Sequence, residues 1–278
     1  MKLRLLRVLD LEKLSFRRSP ETGEIRLLDE IRKLIHLRHL GLRGTKIHQI
    51  SSFIGNLHAL QTLELSRKFT AVPVQLPDEI CYAKQLRRLL GVFKWPFPVD
   101  NLTKLRTLRR VVVGDQMEFD PTVLINLREL WVSYLGSDRR ITLDFYRWIE
   151  KPPILASRSS FRRLWFVLCI ATAFSEPEPH PNDIVVQRSL EVLEKLPNLT
   201  VLGLGAYGGD KLACSAGGFP QLEILEVIGS SDGELEVEEG GMSMLKGLRM
   251  ENFHLSNISG RLTSIPVAPA IDFYVRLY

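Results

Sequence analysis

The sequence predicts an α/β repeat: a solenoid whose successive coils each lay one short strand into a shared parallel sheet. Three observations carry that prediction. Residues 34–42 read LIHLRHLGL and residues 57–65 read LHALQTLEL, with leucine at positions 1, 4, 7 and 9 of both. The rhythm returns at a fixed period, since Leu40 to Leu63, Leu202 to Leu225 and Leu225 to Leu248 are each 23 residues apart. Finally, a spacing of i, i+3, i+6, i+8 does not stay on one helical face, which wants i, i+3, i+4, i+7, and it is not the plain alternation of a strand.

A short strand at L-x-L turns alternate residues the same way, into a core. The L-x-x-L steps before it carry the chain round from a helical or irregular segment. One coil cannot bury its own leucines, whereas stacked coils form a continuous apolar column. A period of 20 to 29 residues containing L-x-x-L-x-L is the signature of the leucine-rich repeat. The expected architecture is therefore a leucine-rich-repeat solenoid: a curved horseshoe with the parallel sheet on its concave face and irregular and helical segments on its convex face.

Each copy can be placed in order. Leu6, Leu9 and Leu11 open the series, followed by Leu34, Leu37, Leu40 and Leu42, then Leu57, Leu60, Leu63 and Leu65. Weaker copies lie near 86–92 and 108–113, where the frame is ambiguous by a residue or more. Leu124, Leu127, Leu130 and Val132 restore it, and Phe161, Leu164 and Phe166 give a further weak copy. Leu193, Leu196, Leu199, Leu202 and Leu204 follow, then Phe219, Leu222, Leu225 and Val227, then Met242, Leu245, Leu248 and Met250. The longer gaps, 34 residues from Leu130 to Leu164 and 38 from Leu164 to Leu202, predict insertions at about 134–160 and 171–183. The second is rich in proline and acid, which places it in solvent. Residues 184–195 (IVVQRSLEVLEK) read as a helix. The repeat domain is expected over 1–253, with a divergent or truncated tail at 254–278.

Composition is that of a soluble globular chain, 45% hydrophobic and 25% charged. No run of about 18 apolar residues exists to span a membrane, and the start has no cleavage-site pattern of a signal peptide. Three scattered cysteines, Cys81, Cys169 and Cys214, suggest reduced thiols and a cytoplasmic setting. The glycosylation tripeptides at Asn101, Asn198 and Asn257 are then read as chance. The net charge of +5 hides an asymmetry: residues 1–175 hold 30 Lys and Arg against 17 Asp and Glu, whereas 176–278 hold 7 against 15. Such a dipole favours electrostatic docking of one end. The arginines are spread along the repeats without interleaved aromatics, which argues against nucleic acid.

Catalytic and metal constellations are not legible. Gly203, Gly205 and Gly208 form G-x-G-x-x-G, and Glu226 follows at a dinucleotide-like distance. However, the next segment, GDKLACSAGGFPQ, is too short and too broken for the helix such a fold needs. His36 and His39 lack partners at metal spacing, and no G-x-S-x-G appears. No enzyme, cofactor or metal is expected.

LRVLDLE at about 6–12 and residues 34–65, with the strand, RGTKI, an IGNL segment and LQTL, followed by LPDEI and QLRRLLG, resemble the repeat domain of plant intracellular disease-resistance proteins of the coiled-coil, nucleotide-binding type. The resemblance is strongest over about 1–115. It implies a protein-recognition domain that senses pathogen effectors or guarded host proteins, or that restrains a nucleotide-binding switch. The phosphate-cradling G-x-x-x-x-G-K-[ST] of that switch does not occur in this chain, so ATP binding is not carried over and the expected entity is a repeat domain without coil or switch. The alternative is a repeat-built adaptor presenting substrates for ubiquitin transfer.

The repeat register itself predicts the binding surface. If leucines face inward, their strand neighbours face the open side: His39, Gly41 and Arg43; Thr62, Glu64 and Ser66; Glu129, Trp131 and Ser133; Arg163, Trp165 and Val167. Trp131 and Trp165 share one register position, and beside Glu129 and Arg163 they make a candidate binding centre if exposed. If the 134–160 insertion folds over them, they belong to the core instead.

Overall fold

The computed structural model describes residues 5–11, 29–45, 50–65, 73–114, 124, 126–136, 162–170, 190–191, 193–207, 211–255, 262 and 264–268. The chain divides into two compact units, the first built chiefly on residues 1–112 and 121–130, the second on 131–273. Of the insertions predicted at about 134–160 and 171–183, residues 134–136 end the strand Glu129–Gly136 and the rest lies outside the described residues, as does most of the helix expected over 184–195, of which residues 190, 191 and 193 are helical.

In the first unit the strands are β1 (Val8–Asp10), β2 (His39–Gly41), β3 (Thr62–Glu64), β4 (Val74–Gln75), β5 (Arg88–Lys94) and β6 (Thr107–Gly114), followed by the start of β7 (Glu129–Gly136). They are ordered β1-β2-β3-β5-β6, with β4 against β5, and each of these pairings is parallel. The register superposes the repeat leucines: Leu9 on Leu40, Leu40 on Leu63, Leu63 on Leu89, and Leu89 on Leu108. From Leu40 onward that row is fully buried. The chain thus forms the parallel-sheet solenoid the spacing predicts.

Backbone bonds explain the three-residue steps. Leu37 N donates to Leu34 O, Leu60 N to Leu57 O, Leu105 N to Leu102 O and Leu127 N to Leu124 O, at 2.8 to 3.0 Å. Each L-x-x-L is therefore one i+3 to i turn, and three residues per turn puts successive leucines on the same side. The chain then extends into the strand, where the period becomes two. Short 3-10 helices at Ser52–Asn56 and Asp78–Tyr82 supply the opposite wall, burying Phe53, Ile54 and Ile80.

The copies whose frame is ambiguous in the sequence owe this to a bulge. Between β5 and β6 the register runs Leu90 to Arg109 and then Phe93 to Val111, so two residues on β5 face one on β6. Arg110 takes a left-handed backbone, φ 58°, and a Cβ on Gly91 would meet the Phe93 ring at 2.9 Å. Phe93 and Val111, not the second position of L-x-L, fill the core there.

The second unit carries the rest of β7, then β8 (Arg163–Ile170), β9 (Val201–Tyr207), β10 (Lys211–Cys214), β11 (Ile224–Val237) and β12 (Gly247–Leu255). The leucine row resumes as Leu164, Leu202, Leu225 and Leu248. β11 is long enough to pair with β9 and β12 and, near its end, with β10. Beyond β12, Val267 bridges to Leu248, and Leu262 and Ala268 are buried.

Candidate functional site

On the open side of the first unit's sheet, Arg43 bridges two strands that flank its own. Its Nη2 lies 3.6 Å from Asp10 Oδ2 and its Nε 3.5 Å from Glu64 Oε1. Asp10 and Glu64 sit on either side of Gly41 in the pairing, Asp10 against Gly41 and Gly41 against Glu64. The glycine leaves room for this arrangement: a Cβ there would fall 2.6 Å from Asp10 Oδ1 and 3.2 Å from His39 Nε2, displacing these side-chain ends. His39, Gly41, Arg43 and Glu64 are thus neighbours, as the register predicts, and Asp10 joins them although sequence reasoning left it out. Its signal was available, since Asp10 occupies the second outward position of LRVLDL.

Further along the same unit Arg109 sets both Nε and Nη2 2.7 Å from Glu129 Oε1. Glu129 is buried to 9% exposure, so its carboxylate is committed to this ion pair.

Trp131 departs from the expectation of an exposed tryptophan. It is 5% exposed and clusters with Val201, against which Ile224 also packs. Val201 and Ile224 are register partners on β9 and β11. The physical reason is that both stand at outward positions which other copies give to polar residues, so an apolar ridge covers the indole. That substitution pattern was the signal in the sequence. Arg163 is exposed and pairs with Val201. Trp165 aligns with Gly203, and its side chain lies outside the described residues.

Glu226 and Arg249 were not singled out as a surface pair. Gly203, Glu226 and Arg249 are adjacent across β9, β11 and β12. Gly203 and Gly205 therefore lie within a strand, where a phosphate loop would have ended one, and Glu226 stands directly beside Gly203. Glu226 is 3% exposed, its Oε1 is 3.3 Å from Arg249 Nε, and its Oε2 is buried without a hydrogen-bond partner. Burial pushes its carboxyl up to about 7, with Arg249 opposing and Glu251 adding to the rise. Arg249 also reaches Glu251.

The turn after β10 is held by carboxylates. Ser215 donates its N–H to Glu194 Oε2 at 3.0 Å and its hydroxyl to Glu194 Oε1 at 2.8 Å, and Ala216 N–H donates to Glu238 Oε2 at 2.8 Å. Buried Cys214 lies beneath; desolvation first, then Glu194 and Glu238, push its thiol up to about 12. It is a core thiol, not a nucleophile. Among the described residues no group of His, Cys, Asp and Glu is placed to hold a metal.

Stacked parallel strands with one buried leucine row and a polar outward row define a repeat scaffold whose surface can vary independently of its core. Residues 1–151 match the family described as a leucine-rich repeat region, and the chain belongs to that family. Curated relatives include disease-resistance proteins of Arabidopsis thaliana. Disease resistance protein RPP13 is 28% identical over 298 residues, covering 97% of this chain and 33% of that protein. RPP13-like protein 2 is 29% identical, covering 91% and 33%. The chain spans about a third of the length of these relatives. Among solved structures, a leucine-rich-repeat protein of Leptospira interrogans superposes at TM-score 0.55 with 19% identity, over 90% of this chain and 56% of that one. The functional domain of InlJ from Listeria monocytogenes follows at 0.52 with 13% identity, over 91% and 50%. These two likenesses bear on the fold alone.

Proposed function

We propose that this chain is the non-catalytic recognition domain of a plant immune receptor, and that it binds a protein partner through the open side of its sheet. The observation that carries this reading is the Asp10–Arg43–Glu64 array together with Arg109–Glu129. Charged groups from four strands and from the turn after β2 are held in fixed positions by one another and by the strand register, and Arg43 remains 42% exposed. Pre-positioned charged side chains on a rigid sheet lose little entropy on binding and enforce register with a partner. His39 extends this surface on the strand between Asp10 and Glu64. Kinship with disease-resistance proteins makes a pathogen effector or a guarded host protein the proposed ligand, with a nucleotide-binding switch module as the other proposed partner.

The test is a binding screen of the 278-residue chain against pathogen effectors and against switch modules of relatives. A cognate partner should bind the wild type and lose at least about tenfold in affinity to Arg43→Ala or Glu64→Ala, the range of an interface hot spot. A partner that binds both variants as tightly as the wild type would remove the open side of the first unit from the interface.

A further inference from the structure

Arginines that look scattered in the sequence are gathered by the coil into one row. The residue just before each strand's first residue occupies an equivalent place in every turn: in the first unit these are Arg7, Arg38, Gln61, Arg87, Arg106 and Arg128. Their backbones form one ladder, with Arg38 N donating to Arg7 O, Gln61 N to Arg38 O, Arg87 N to Gln61 O, Arg106 N to Arg87 O, and Arg128 N to Arg106 O, at 2.7 to 2.8 Å. Neighbouring rungs are therefore about 4.8 Å apart and the row runs about 24 Å. All five arginines are exposed, and among the described residues none takes part in an ion pair or side-chain hydrogen bond. Arg88, exposed on β5, adds a charge beside the row.

These like charges, a pair and a triplet on either side of Gln61, repel one another, and among the described residues no acidic side chain pairs with them. The second unit shows the other solution. There the same place holds Arg162, Thr200, Glu223 and Lys246, and Lys246 Nζ closes onto Glu223 Oε1 at 2.7 Å across one rung. Mixed charges on a ladder neutralise each other, whereas a single sign does so only through a partner.

We infer that the arginine row of the first unit is a docking rail for an extended acidic polypeptide segment, laid along the entry edge of the sheet. Guanidinium groups suit carboxylates because their planar forks can donate two parallel hydrogen bonds to one group. An extended segment presents same-side carboxylates about every 6.6 Å, so roughly seven residues cover the row. Single-stranded nucleic acid fits less well, since sequence-tolerant binding of that kind relies on aromatic side chains for base stacking, and no rung is aromatic. This surface is separate from the Asp10–Arg43–Glu64 array, so either reading can fail without the other.

The experiment uses the 278-residue chain and three labelled probes: a ten-residue peptide alternating Glu and Ser, its Lys and Ser counterpart, and an oligodeoxythymidine of equal charge to the first. The Glu peptide should bind, and weaken steeply as salt is raised from about 50 to about 200 mM. R87Q/R106Q/R128Q should weaken it about tenfold or more with an unchanged thermal unfolding transition, while R87K/R106K/R128K should fall between that variant and the wild type. K246Q should leave it within about twofold, because it lies off the row. Absence of Glu-peptide binding, equal binding by the triple Gln variant, or tighter binding of the oligonucleotide than of the peptide overturns the inference.

Discussion

Glu226 is where a single side chain sets a pH response. Its carboxyl titrates at about 7 in the fold against 4.5 when free. The folded state therefore binds that proton more tightly than the unfolded chain does. Stability from this group is fully present below 4.5 and declines as pH rises through 7. In Glu226→Gln the decline should be shallower, by up to a few kcal/mol between about pH 4.5 and 7.5, in paired urea titrations of wild type and variant. Equal slopes would show that Glu226 titrates normally. Cys214 makes the complementary case. With its thiol pushed up to about 12, roughly one molecule in ten thousand is thiolate at pH 8. Iodoacetamide should leave the Cys214 peptide unlabelled in the native protein and label it after denaturation, which mass spectrometry reads directly.

A whole turn fails differently from a side chain. Leu63 is fully buried between Leu40 and Leu89, so Leu63→Ala should cost about 2–5 kcal/mol, read as a lower urea midpoint. Gly41→Ala threatens only the flexible end of Asp10. It should cost about 1 kcal/mol or less and act instead on the Asp10–Arg43 ion pair. Glu194→Ala removes the acceptor of both Ser215 donors, and leaving a part-buried amide unpaired costs about 1–3 kcal/mol. Faster hydrogen exchange confined to residues 214–218 would mark that loss as local. The elements themselves were legible wherever L-x-x-L-x-L is intact, because three-residue turns and two-residue strands leave different periods in one motif. They were not legible at 86–113, where the bulge at Gly91 and Arg110 moves the core position to Phe93 and Val111.

Over the whole chain, what the sequence hides is lateral adjacency. The steps from Arg7 to Arg38, Arg38 to Arg87, Arg87 to Arg106 and Arg106 to Arg128 are 31, 49, 19 and 22 residues. No fixed window finds such a row, since the stretches of sequence between strands differ in length while the strands stay in register. The same cause concealed the burial of Trp131, which depends on Val201 and Ile224, about 70 and 90 residues later in the chain. Open-side neighbours that follow directly from the strand register, such as Gly41 with Glu64, were legible, because parallel pairing in phase with the leucines fixes them. The asymmetry of charge along the chain has a physical counterpart in the two ladders, one of a single sign and one self-paired.

Each entry-edge carbonyl accepts two amides from the following turn, as Arg38 O does from Gln61 and Thr62 and Arg87 O from Arg106 and Thr107. Among the described rungs the joint is this same pair of main-chain bonds, whatever residue stands there, with the Thr200 hydroxyl adding a third donor to Arg162 O. Within a unit, excising one complete turn would bring the same two donors to the same acceptor, so coil number can drift through gene duplication and loss while no new joint has to be invented. Lineages can thus lengthen, shorten and re-letter the outer surface on a seam that never changes.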